Sequence, residues 1–248
     1  YGVNTYPFVH NIDQYLHSLL LELAENADCI ITPSSSSANW INENIPNRKQ
    51  VCIIPHGTDI PEEKDIKPIS DKFVVGYLGA FGPDKGLPYL ILAWKYFNHP
   101  DSELIFAGNC GQSLQQDSIK KFFLDGVKNV KISGWLDKVS DFYNNISVYI
   151  QPSITEGFGI EILEAMAYGR PVIASKGAGG ADVITDGVDG FVVPSGDPKA
   201  ILDKLNYFKA FPEKIISMGF NARDTAKKYS WEKIQRRYEE MYEEILND

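Results

Sequence analysis

The stretch EGFGIEILEAMAYGRP, residues 156–171, sets three carboxylates, Glu156, Glu161 and Glu164, into an otherwise apolar run. Gly157 and Gly159 let the backbone of a turn come close to a ligand. A helix starting at about Gly159 would leave the N–H groups of Gly157, Phe158, Gly159 and Ile160 free at its start, where the helix dipole favours an anion. Glu156 then precedes the helix. Glu164 sits one turn in, off the apolar stripe of Ile160, Leu163 and Ala167. An anion site with a carboxylate on either side suits a ligand that has phosphate in the middle and hydroxyls at both ends, as a nucleoside diphosphate sugar does. The plainer alternative is that acids at a helix start are favoured by the dipole alone, by about 0.3–1 kcal/mol each.

Three further loops carry polar or glycine-rich chemistry. YLGAFGPDKG (77–86) is a Gly-rich turn holding Gly82, with Lys85 just before a helix, a workable phosphate cradle. AGNCGQS (107–113) contains Asn109, and SGWLDK (133–138) contains Trp135 and Leu136. Each follows a strand, so in a parallel sheet all four loops open on one edge, where such sheets bind ligands.

The elements that would position these loops are short apolar runs bounded by Gly, Pro, Asn or Asp. They predict strands at 27–32, 51–54, 73–78, 103–107, 129–132, 147–151, 171–174 and 190–193, each buried on both faces. Amphipathic stretches predict helices at 12–25, 35–44, 86–98, 113–124, 137–145, 159–168 and 198–209, with a charged tail helix over 230–248. The alternation predicts an α/β fold with a doubly wound, Rossmann-like parallel sheet. A Pro-rich, charged linker, residues 54–72, separates a small N-terminal part from about 170 residues that suffice for one full domain. Two strands and two helices are too few to close a core alone. The sequence also opens without Met, so the first domain is expected to be incomplete.

Composition narrows the function further. The net charge is −9, with 24 Lys and Arg against 33 Asp and Glu, and no basic run marks a nucleic-acid surface. No apolar run approaches the roughly 20 residues of a membrane helix. Cys29, Cys52 and Cys110 are far apart and read as small core residues of a reducing compartment. The four histidines lack metal-ligand spacing. GYLGAFG lacks the GxGxxG spacing of a dinucleotide-dependent oxidoreductase.

Taken in order, these pieces resemble the retaining glycosyltransferases of the GT-B fold, in particular glycosyltransferase family 4 (group 1). EGFGIEILEAMAYGRPVIAS is similar to that family's E-x7-E signature, and IIPHGTDI (53–60) to its interdomain segment. VGYLGAFGPDKG (75–86) resembles its lysine loop, and GGADVITDGVDGFVVPSGDPKAI (179–201) the segment after the signature. The resemblance covers residues 27–248. It implies the end of an acceptor-side Rossmann-like domain over 1–60, a donor-binding Rossmann-like domain over 61–229, and a helix over 230–248 that crosses back. It also implies transfer of a sugar from a nucleotide diphosphate sugar, UDP or GDP, to a hydroxyl acceptor, with no metal and no further cofactor. Lipid-linked acceptors, a cytoplasmic location and membrane association through the N-terminal part follow as expectations.

For single residues, the resemblance implies that Glu156 faces the donor sugar and Glu164 holds the ribose hydroxyls. The amides of Gly157, Phe158, Gly159 and Ile160 take the diphosphate with Lys85. Gly82 lies in the lysine loop, and Asn109, Trp135 and Leu136 border the base. His10 stands where several members have a histidine that reaches the sugar, although a strand-end histidine bonded locally would look the same. His56 reads as structural, and Asp182 as a cap for the segment after it. One departure is Ala80, where the family usually has arginine; one fewer cation should weaken diphosphate binding. The alternative reading is a nucleotide-sugar-binding subunit or donor-binding fragment that does not catalyse transfer.

Overall fold

The computed structural model describes residues 12–247. The N-terminal part is α1 (Ile12–Asn26), β1 (Cys29–Thr32), α2 (Ser35–Asn44) and β2 (Gln50–Ile53), with β1 and β2 paired in parallel. The larger part runs β3 (Phe73–Leu78), α3 (Leu87–Phe97), β4 (Ser102–Ala107), α4 (Asn109–Leu114), α5 (Asp117–Leu124) and β5 (Val130–Gly134). It continues with α6 (Val139–Asn145), β6 (Val148–Gln151), α7 (Glu161–Ala167), β7 (Val172–Ser175), β8 (Gly190–Val193), α8 (Pro198–Ala210), α9 (Pro212–Ala226) and α10 (Trp231–Asn247). All its strands are parallel, in the order β5-β4-β3-β6-β7-β8. This is the doubly wound order in which the chain reverses direction across the sheet between its first and fourth strands, here β3 and β6.

The period-two alternation of the strands sends side chains into two cores. Val75, Tyr77, Leu104, Phe106, Ile150 and Ile173 pack beneath α3 and α8. Val74, Ile105, Tyr149, Val172 and Ala174 pack beneath α6 and α7. With both faces covered, β3, β6 and β7 are almost wholly buried, which is why they read as continuous apolar runs. The chain from 54 to 72 holds one short 3-10 turn, Glu63–Asp65, and otherwise no regular structure.

Two helix readings need correction. The single helix predicted at 113–124 is two helices, α4 and α5, broken at Gln115 and Gln116. Cys110 and Leu114 are drawn into the core, and a side chain at Gly111 would meet the Gly134 backbone at 2.5 Å, so α4 is pinned to the end of β5. The chain must turn before α5 can lay Ile119 and Phe123 on that core. The second is α9, which the sequence reading leaves unassigned and which carries Gly219 in its middle. That glycine is a packing requirement: a Cβ there would lie 2.2 Å from the Gly169 carbonyl oxygen. Alanine is intrinsically the better helix former by about 1 kcal/mol. Gly219→Ala should nonetheless lower the melting temperature by several degrees, since overpacking costs about 1–3 kcal/mol; an unchanged or raised value in a thermal melt would refute the packing account.

The tail helix α10 lies on the small N-terminal sheet. Ile234 and Met241 are buried there with Ile54, beside Cys29, Ile31, Cys52, Tyr238 and Ile245. Of the cysteines only Cys110 is fully buried; Cys29 and Cys52 are half-buried, their Sγ atoms 2.8 Å apart. The two parts also meet at Asp182. It does not cap its own short turn; its carboxylate accepts from the amide (2.7 Å) and hydroxyl (2.9 Å) of Ser35, at the start of α2. Among the described residues, no helix is long and apolar enough to cross a membrane.

Candidate active site

The β3–α3 turn and the loop after β6 leave adjacent strands at the point where strand order reverses, so they form the two walls of a crevice there. A cavity of about 630 Å³ fills it. Lys85, Gly79 and Ala80 line one side, and Glu156 to Glu161 the other, with His56 and Trp231 closing it from the N-terminal part and the tail helix.

Hydrogen bonds fix the loop after β6 on both flanks. The amides of Ile154 and Thr155 donate to the Asp84 carbonyl at 2.7 and 3.3 Å. Glu156 N–H donates to the Gly177 carbonyl (2.8 Å), the Gly179 amide to the Glu156 carbonyl (3.0 Å), and the Gly180 amide to the Phe158 carbonyl (2.6 Å). The amides of Gly157, Phe158, Gly159 and Ile160 have no acceptor among the described residues. Phe158 sends its ring into the core, which anchors the turn. The helix begins two residues later than predicted, at Glu161, and Ile160 is half-exposed at the cavity rather than on the core stripe.

Lys85 Nζ is paired with the Glu156 carboxylate and lies 3.4 Å from Asp84 Oδ2. Both side chains are about four-fifths shielded from solvent, Lys85 at 19% and Glu156 at 22% exposure. Burial acts to lower the Lys85 pKa, but its bond to Glu156 and the charges of Glu156 and Asp84 outweigh that and raise it above the ordinary value. Lys85 therefore stays a cation. Glu161 has no cationic partner within salt-bridge distance among the described residues. Its carboxyl is pushed above the usual range by burial, with Glu164 and Glu156 adding to the rise and Lys85 opposing it. The cavity thus holds one lysine and two acids in its lining. Ala80 adds no charge; its carbonyl accepts from the Tyr77 hydroxyl at 2.9 Å.

Glu164 lies in an adjoining cavity of about 230 Å³ that shares Ile160 and Trp231 with the first. Gly82, Asn109, Trp135 and Leu136 stand on the same carboxyl edge, outside the lining of either cavity. Gly82 starts the turn that carries Lys85, accepting from its amide at 3.1 Å. Asn109 opens α4 and is exposed. Trp135 is 70% exposed, its indole N–H donating to Gln112 Oε1 at 2.6 Å, and Leu136 packs against the core. His10 lies outside the described residues.

Three cavity residues escaped the sequence reading. His56, read as structural, lines the cavity and sets its ring edge-on to Phe158, with centroids 5.1 Å apart. Trp231 fell within the predicted charged tail helix with no role of its own, and Glu161 was read only as a third acid. A half-buried acid without a partner has no signature in sequence, and the approach of His56 and Trp231 depends on how the tail folds back.

A side chain added at Gly157 would meet nothing within 4 Å, and the turn there is not left-handed. Gly157→Ala should keep the melting temperature within a degree or two, yet, if the amides take a diphosphate as the sequence leads one to expect, weaken its binding by putting a methyl among them. Calorimetric titration beside a thermal melt checks both halves.

An α/β protein built of parallel sheets, with a cavity at the switch point of the larger one, is the architecture of the GT-B glycosyltransferases. Sucrose-phosphate synthase of Thermosynechococcus elongatus superposes with a TM-score of 0.81 at 24% identity, over 98% of this chain and 64% of that one. HepE of Anabaena, solved in complex with UDP and glucose, gives 0.78 at 23% identity, over 93% of this chain and 67% of that one. The chain belongs to the family described as Glycosyl transferases group 1, whose model matches residues 59–225. An uncharacterised glycosyltransferase of Methanocaldococcus jannaschii is 29% identical over 223 residues, 89% of this chain. This chain spans 60% of that relative's length.

Proposed function

We propose that the chain is the donor-binding part of a metal-independent, retaining glycosyltransferase of family 4, moving a sugar from a nucleoside diphosphate sugar, UDP- or GDP-linked, to a hydroxyl acceptor. One observation carries the reading: Lys85 and the four amides without acceptors, Gly157 to Ile160, converge on one cavity at the switch point. The shared fold with HepE, whose structure holds UDP and glucose, supports it.

On this reading the diphosphate lies against those amides and Lys85. As the bond from sugar to phosphate breaks, negative charge grows on the departing diphosphate, where fixed N–H dipoles and a largely shielded ammonium stabilise it without reorganising. Positive charge grows on the sugar, beside Glu156. Glu156 and Glu164 grip substrate and need form no covalent intermediate. Ribose hydroxyls bind Glu164 in the adjoining cavity. The acceptor approaches from the side of the N-terminal part, and a lipid-linked acceptor would put the protein at the cytoplasmic face of a membrane.

Calorimetric titration with UDP, GDP and ADP, first without metal and then with Mg²⁺, tests the reading. One nucleotide should bind without metal, and Lys85→Ala should weaken it by about 10- to 100-fold, the worth of a charge-assisted hydrogen bond. Equal affinity in native protein and variant would remove Lys85 from the site. Binding without any transfer, in a protein with both domains, would favour a nucleotide-sugar-binding subunit instead.

A further inference from the structure

Glu164 does not stand alone in its cavity. The hydroxyl of Tyr143, on α6, donates to Glu164 Oε2 at 2.6 Å. Tyr143 is 1% exposed. Its ring is stacked on Tyr168, with centroids 5.3 Å apart and planes 24° apart, and meets Tyr149 edge-on at 6.2 Å. Its carbonyl accepts from Nε of the buried Arg170 at 2.8 Å. The ring therefore has one position, and the hydroxyl with it. Burial, then the charge of Glu164, pushes the phenol well above its ordinary pKa, so it remains an O–H donor across the working range of pH. The second oxygen of Glu164, Oε1, has no hydrogen-bond partner among the described residues.

We infer that Tyr143 is a positioning residue for nucleotide recognition: by holding one oxygen of Glu164 it fixes the carboxylate plane so that the other oxygen meets a ribose hydroxyl. This rests on the proposed role of Glu164. A long, flexible carboxylate must otherwise be ordered when the ligand arrives, and a buried donor that orders it beforehand removes that cost from binding. Tyr143 borders the same cavity but is 1% exposed and its hydroxyl is already given to Glu164. Its effect must pass through Glu164 and must depend on the ligand's own hydroxyl.

That dependence gives a test which a merely structural role would not satisfy. UDP and its 2′-deoxy and 3′-deoxy forms, with the matching GDP series, are titrated against native protein, Tyr143→Phe, Glu164→Gln and the pair Y143F/E164Q. The native protein should prefer the ribonucleotide over one of the deoxy forms. Tyr143→Phe should bind the ribonucleotide about tenfold more weakly, leave the deoxy form nearly unchanged, and so erase the preference. Glu164→Gln should erase it too, and the pair should lose no more than Glu164→Gln alone. Equal weakening of ribo and deoxy forms by Tyr143→Phe, or a preference that survives it, overturns the inference.

The outcomes separate this inference from the reading beneath it. If neither the native protein nor Glu164→Gln distinguishes ribo from deoxy forms, the ribose role of Glu164 fails, and Tyr143 with it. If Glu164→Gln loses the preference and Tyr143→Phe keeps it, only the positioning role fails. The phenylalanine keeps the ring and its stacking. Should that variant still not fold, Y143F/E164Q, which leaves no carboxylate without its donor, is compared with Glu164→Gln: any further loss of affinity, for ribo or deoxy forms, overturns the inference.

Discussion

Glu156→Gln is expected to bind UDP or GDP several-fold more tightly than the native protein and to transfer sugar more slowly, on the order of 10²-fold or more. The two effects have opposite signs because Glu156 has two relationships. It pairs with Lys85, the ammonium that a phosphate needs, so carboxylate and phosphate compete for one cation. It is also a negative charge beside the site where the diphosphate would lie, in partial shielding where such repulsion is stronger than in water. Glutamine keeps the shape and removes both penalties. The developing positive charge on the sugar, however, loses its neighbouring carboxylate, and that loss falls on turnover. Calorimetry gives the affinity, and release of nucleoside diphosphate during transfer gives the rate. If affinity and rate fall together, Glu156 is holding the loop in shape rather than serving the reaction.

Gly86→Ala should do greater structural damage than any other change in the lysine loop. Gly86 has φ 68° and ψ 15°, and a Cβ there would lie 1.9 Å from the Pro152 carbonyl oxygen. The left-handed conformation costs a non-glycine residue about 1–3 kcal/mol, and relieving the collision costs about 1–3 kcal/mol more. For a chain of this size the melting temperature should fall on the order of 10 °C. The contact joins the β3–α3 turn to the end of β6, so relief must move Lys85, and nucleotide binding should disappear with it. Gly187→Ala is the control: its φ is 76° with nothing within 4 Å of a Cβ, so it should show the strain alone, about 1 kcal/mol. Similar melting temperatures for the two variants would mean that the turn yields freely.

The central strands β3, β6 and β7 were legible because burial on both faces turns them into uninterrupted apolar runs ended by turn residues, whereas β1, β2 and β5, expected to be buried likewise, are only partly covered. The loop at 156–160 was legible because glycines and acids at a strand end have a limited set of uses. The pairing of Lys85 with Glu156 was not, because 71 residues separate them in the chain and only the strand order makes them neighbours. Tyr143 was hidden for a similar reason. On α6 it reads as one more core aromatic, and its hydroxyl gains meaning only when α7 brings Glu164 to it. Asp182 was misread because local capping is the usual use of an aspartate at a turn, whereas its partner, Ser35, lies 147 residues away.

The seam between β3 and β6 is the shortest in the larger sheet, with two registered pairs, Val75 with Val148 and Gly76 with Tyr149, against six between β3 and β4. In the language of hydrogen exchange, β5-β4-β3 and β6-β7-β8 are natural candidates for separate cooperative units, with this seam as the line along which the sheet opens first. Lys85 stands on one bank and the Gly157–Ile160 amides on the other. A diphosphate held by both is a clasp across the seam, and at a hundred times its dissociation constant it adds about 2.7 kcal/mol to the work of opening. The groups proposed to recognise the nucleotide would then also add cohesion where the sheet has fewest registered pairs, beside the Lys85–Glu156 pair that already crosses it.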